Sequence, residues 1–95
     1  MRLSKLAAFL NFACIDFGDP GNSLNSRHPR TTLELLSSWR HKNRIEQDWG
    51  WFLESFDALL EFWVDRGIID SNPLRSEAAK FYLPEEFLTS RKSEG

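Results

Sequence analysis

Apolar residues keep the helical period in some stretches of this chain and lose it abruptly in others. From Arg2 to about Phe17, Leu3, Leu6, Ala7, Leu10, Ala13, Cys14 and Phe17 line one stripe, which predicts a helix. Phe9, Phe12 and Ile15 lie outside that stripe. A helix apolar over most of its circumference needs cover on several sides, and a short chain has little to spare, so Phe9 and Phe12 are expected to meet a partner. The next stretch, GDPGNSLNSRHPR from Gly18 to Arg30, is dense in Gly, Pro, Asn and Ser and predicts a surface loop. Thr31 followed by Glu34 has the spacing of a capping box. It predicts a short helix that turns Leu35, Leu36 and Trp39 inward and ends near Arg40 to Asn43.

The strongest period belongs to the following segment. Ile45, Trp49, Phe52, Leu53, Phe56, Leu59, Leu60, Trp63 and Val64 share one helical face, with Asn43 as the expected cap and Glu46 at the third position. That face is core. Trp51 and Phe62 fall beside it, about three turns apart with Ser55 and Ala58 between them, so either the first helix covers them or a partner does. The remaining arc is a ridge of carboxylates, Glu46, Glu54, Asp57, Glu61 and Asp65, in which each like-charged pair three or four apart costs about 0.2 to 0.5 kcal/mol. Gly67 is expected to end the helix in the left-handed conformation. Beyond it, IID and KFYLP predict two short strands paired across a loop from Asp70 to Ala79, and PEEFL predicts a last helical turn.

These elements describe one domain of the mainly α class: an N-terminal helix over 1–17, a loop over 18–30, a unit over 31–90 with two further helices and a C-terminal β-ribbon, and a polar tail over 91–95. The run TTLELLSSW…NRIEQDWGWFLESFDALLEFWVDRGIID…KFYLP resembles a winged helix-turn-helix unit, nearest to the C-terminal domains of plasmid replication initiators. The resemblance implies a winged-helix ribbon and a DNA-binding role. In that family the start of the long helix enters the major groove, which calls for Arg, Lys, Asn or Gln. Here the segment offers Arg44 and Gln47 beside Glu46, Asp48 and Glu54, whose charges phosphate repels. Winged helices also serve as protein-binding modules.

Composition narrows the chemistry. The 95 residues are 41% hydrophobic, 27% charged and 14% aromatic, with a formal net charge of -2, which argues against a surface that is basic throughout. Any polyanion contact must be local. Seven basic or titratable residues, Arg27, His28, Arg30, Arg40, His41, Lys42 and Arg44, fall within eighteen positions. Helix C-termini attract such residues, but this density exceeds what one helix end needs, and Arg27, Arg30, Arg40, His41, Lys42 and Arg44 are the candidate phosphate contacts.

Phe9, Phe12, Trp51 and Phe62, with Glu54 and Glu61 on the ridge, are the candidate partner contacts. Two histidines and the lone Cys14 do not form a metal-ligating or nucleophilic set, and no Gly-rich phosphate loop is present, so neither enzyme activity, cofactor, metal nor small-molecule substrate is expected. Met1 to Asp19 imitates a signal peptide, but Asn11 and Asp16 interrupt it and the apolar run is too short to span a bilayer. A cytoplasmic protein with no membrane contact is expected. The sequence therefore reads as a non-enzymatic small subunit of a nucleic-acid-handling assembly, holding a DNA or RNA backbone by its basic residues and neighbouring protein by its aromatic faces. The alternatives are an inhibitor or antitoxin-like protein that uses the acidic ridge, and a sequence-specific DNA-binding regulator, which would need a dimer and two half-sites.

Overall fold

The first helix stops well short of its apolar run. In the computed structural model, which describes the backbone of residues 2–45 and 48–93 and the side chains of residues 5–45 and 48–89, helix α1 spans Arg2–Phe12. Cys14 adopts φ 57°. Its N–H bonds the Asn11 carbonyl at 3.2 Å, and the Ile15 N–H returns to Leu10 at 2.8 Å. This Schellman arrangement, a left-handed residue followed by an apolar one, closes the helix. The same device ends α3 (Pro29–Asn43), with Arg44 at φ 53° and Ile45, and α4 (Trp49–Asp65), with Gly67 at φ 75° and Ile68. Gly67 was legible in the sequence; Cys14 and Arg44, which bear side chains in the left-handed region, were not.

The buried face of α1 is rotated from the expected stripe. Leu6, Phe9, Leu10 and Ala13 are buried, whereas Ala7, Cys14 and Phe17 are exposed, and the side chain of Leu3 lies outside the described residues. Phe9 explains the rotation. It is 0% exposed, and its ring meets Trp39, Phe52 and Phe56 edge-on at 5.4, 6.1 and 5.3 Å between centroids. Such pairs add to plain area burial. Phe9 is thus the centre of the core and no partner contact.

The expected loop contains a short helix, α2 (Pro20–Leu24), with Pro at its first position. A Cβ on Gly21 would lie 2.4 Å from the Ile68 carbonyl oxygen, so only glycine lets α2 approach the segment after α4. Asn25 rivets the same approach, accepting from the Asp70 N–H at 2.8 Å and donating to the Ile68 carbonyl at 3.3 Å. Helix α3 begins before the capping box, because His28 caps it by accepting from the Arg30 N–H at 3.1 Å and Pro29 supplies its first position. Asn43 closes α3 and does not open α4; its amide donates to the Trp39 carbonyl at 2.9 Å. The Glu46 expected to complete the second cap lies outside the described residues.

The β-ribbon is absent: among the described residues the chain forms helices and no strands. Two 3₁₀ turns, Pro73–Arg75 and Glu77–Phe81, occupy the place of the wing, and α5 (Glu85–Ser93) contains the expected last helical turn and runs on into the expected tail. The winged helix-turn-helix expectation fails at its wing. Ile69, Leu74, Ala79 and Leu83 are all buried, and their spacings of five, five and four do not send side chains to one face of a strand. The N–H groups of Arg75, Ser76, Ala79 and Tyr82 instead bond carbonyls three residues back.

One core unites these pieces. The predicted face of α4 is its spine: Trp49, Phe52, Leu53, Phe56, Leu60 and Trp63 are buried, and Leu59 and Val64 border them. Ile45 is buried in the turn before α4. Helix α1 crosses α4 and α3, the 3₁₀ turns lie along α3, and α5 lies against α4. Among the described residues no helix is long and apolar enough to cross a membrane.

Candidate nucleic-acid interface

The seven basic and titratable residues do not form one patch. Arg27 is turned inward, where its Nη2 donates to the Ala13 carbonyl at 2.9 Å while Ser23 Oγ donates to that of Cys14, also at 2.9 Å. Both side chains satisfy carbonyls left open at the end of α1. Arg27 therefore acts as a helix cap within the fold. His28 and Arg30 sit at the start of α3, whereas Arg40, His41, Lys42 and Arg44 sit at its end. Ten residues of helix separate Arg30 from Arg40, about 15 Å along the axis.

The C-terminal end of α3 is the denser group. His41, Lys42 and Arg44 are exposed, and Arg40 is half-buried. Arg40, His41, Arg44 and Ile45 line an open depression of about 470 Å³. Arg40 is already committed: its Nε donates to the Ile45 carbonyl at 3.1 Å and its guanidinium lies 4.8 Å from the centroid of the Trp49 ring. It braces the turn between α3 and α4 and adds charge without offering its full fork. The Lys42 ammonium stands 5.9 Å from the Phe12 ring, which is half-buried. Among the described residues, no carboxylate pairs with His41, Lys42 or Arg44. Gln47, the other expected groove contact, lies outside the described residues.

The acidic ridge proves to be partly internal. The Asn72 amide donates to Asp57 at 2.8 Å and to Glu61 at 3.0 Å, while its oxygen accepts the Leu74 N–H at 2.8 Å. Arg75 clasps Asp57 with two bonds, at 3.2 and 2.9 Å, and stands 3.6 Å from Glu61. The like-charged pair on α4 thus holds the first 3₁₀ turn, a use that the sequence did not reveal because Asn72 and Arg75 lie within a segment read as a loop. Glu61 is spoken for. Glu54 and Asp65 remain exposed, and Glu46 lies outside the described residues.

Of the second aromatic face, Phe62 is 51% exposed under the Arg66 guanidinium, and Trp51 is half-buried. Helix α1 covers the core face of α4 and leaves Phe62 open. Sequence reasoning missed Phe17, 65% exposed with its ring edge-on to Trp63 at 5.8 Å, having assigned it to the buried stripe. The Gly18-Asp19-Pro20 break that follows it was the available signal. Among the described residues no three His, Cys, Asp or Glu side chains stand close enough to hold a metal ion. Compared with models of known families, with curated proteins and with solved structures, the chain matches none.

Proposed function

We propose that this chain is a non-catalytic subunit of an assembly that handles nucleic acid, and that it grips the phosphate backbone with the C-terminal end of α3. One observation carries the reading: His41 and Arg44 line an open depression with Arg40, Lys42 is exposed beside them in sequence, and among the described residues no carboxylate pairs with His41, Lys42 or Arg44. Exposed, unpaired cations of this kind supply the sequence-independent part of nucleic-acid affinity. The two aromatic rings nearest the group, Phe12 and Trp49, each lie under one of its own cations. They leave no bare platform for stacking bases, so the contact is to backbone and not to sequence. Phe62 and Phe17 are the surface for neighbouring protein. The rival reading, an acidic ridge aimed at a basic target, loses Asp57 and Glu61 to internal bonds.

The test is binding to single- and double-stranded DNA and RNA across a salt series, for the wild type and for Lys42→Gln/Arg44→Gly. Glycine keeps the left-handed turn at 44, so this variant removes charge and leaves the fold. The wild type is expected to bind with a steep salt dependence, and the variant to lose affinity with about one to two units of slope. Absence of binding by the wild type at low salt would remove nucleic acid from consideration.

A further inference from the structure

Across Arg40 from the basic depression lies a second concavity, of about 290 Å³, where the start of α4 faces the start of α5. Its chemistry is opposite. Trp49, Pro84 and Phe87 form apolar walls, Arg40 lines one side with its guanidinium 4.8 Å from the Trp49 ring centroid, and Glu54 and Glu86 are both exposed and, among the described residues, form no ion pair. Phosphate would be repelled here, so the cleft is no extension of the basic end of α3.

One further observation points outward. Gly50 lines the cleft within helix α4, where glycine is less favourable than alanine by up to about 1 kcal/mol. The fold gives no reason for it: a Cβ at this position would meet nothing within 4 Å, and its φ is not in the left-handed region. Glycine without an internal cause, on the floor of a cleft, is what close approach by another backbone requires. Beside it Trp49 is only 4% exposed, and its buried indole N–H has no acceptor among the described residues.

We propose that this cleft docks an extended, lysine- or arginine-bearing segment of a partner protein. The aliphatic stem of the basic side chain lies along Pro84 and Phe87, on the side of the cleft away from Arg40, and its head reaches Glu54 and Glu86. The segment's backbone passes over Gly50. This docking uses neither Lys42 nor Arg44, so it is tested apart from the phosphate reading although Arg40 borders both concavities.

The full chain, labelled with nitrogen-15, would be titrated with a capped peptide alternating lysine and leucine, and with its glutamate counterpart. The indole N–H signal of Trp49, identified by its loss in Trp49→Phe, is the readout. The lysine peptide is expected to shift that signal saturably, and the glutamate peptide to leave it in place. Glu54→Gln/Glu86→Gln should weaken the lysine peptide by about tenfold or more, as expected for losing two charge-assisted contacts. Gly50→Leu should abolish binding while its unfolding temperature stays at or above that of the wild type, which separates a blocked cleft from a damaged fold. Lys42→Gln/Arg44→Gly should bind the peptide as the wild type does. Equal response to both peptides, no response to millimolar lysine peptide, or unchanged binding by Gly50→Leu would each overturn the proposal.

Discussion

Asn72 uses its whole side chain inside the fold, with two donors to Asp57 and Glu61 and one acceptor for the Leu74 N–H, at 6% exposure. Hydrogen bonds to charged groups contribute about 1.5 to 3 kcal/mol each, and the Leu74 N–H loses the Asn72 oxygen as well, while Arg75 stays with Asp57 and Glu61. Asn72→Ala is therefore expected to cost about 3 kcal/mol or more, read as a lower midpoint in urea unfolding at unchanged slope. A loss under 1 kcal/mol would mean that water replaces the amide. At Cys14 the sign reverses. Its φ of 57° is strained for a residue with a Cβ, so Cys14→Gly should stabilise by a few tenths of a kcal/mol up to about 1, whereas the β-branched Cys14→Val should destabilise by about 1 to 2. Thermal unfolding of the two variants checks the pair.

At the scale of elements, two glycines predict opposite outcomes for one substitution. Gly21→Ala places a methyl 2.4 Å from the Ile68 carbonyl oxygen, a backbone atom that can move only if the segment moves. Helix α2 must then lift from residues 68–70, and the bonds from Asn25 go with it. A loss of about 2 kcal/mol or more is expected, with faster amide exchange at Asp70. Gly50→Ala meets nothing and should raise stability by up to about 1 kcal/mol, since alanine is the better helix former. The residue type alone could not separate these cases; the neighbour from a distant part of the chain does.

For the whole molecule, Phe9 is the joint between α1, α3 and α4. A domain of this size holds only about 5 to 14 kcal/mol in total, and Phe→Ala in a core costs about 3 to 5. Phe9→Ala should leave a chain with much of its far-UV helical signal but a broadened thermal transition and weakened near-UV signal, because the aromatic cluster is what fixes the helices against each other. Phe62→Ala, at a half-exposed site, should leave stability within about 0.5 kcal/mol of the wild type. Comparing the two separates core from surface aromatics by direct measurement.

The sequence alone determined where long-range order is densest. The face of α4, the left-handed Gly67, the inward Leu36 and Trp39 and the mainly helical class follow from period and cap chemistry, which are local. It also marked the end of α3 as a basic cluster. Only the tertiary structure decided which of two crowded apolar faces α1 buries, because Phe9 is chosen by the ring-sized space between Trp39, Phe52 and Phe56 and not by its own helix. Only the tertiary structure turned Arg27 into a cap, made Asp57 and Glu61 a clasp for Asn72 and Arg75, and replaced the ribbon by 3₁₀ turns. For Phe9, Arg27 and the clasp of Asp57 and Glu61 the deciding partner lies more than ten residues away, and a side chain's hydrogen bonds and burial depend on what folding brings beside it.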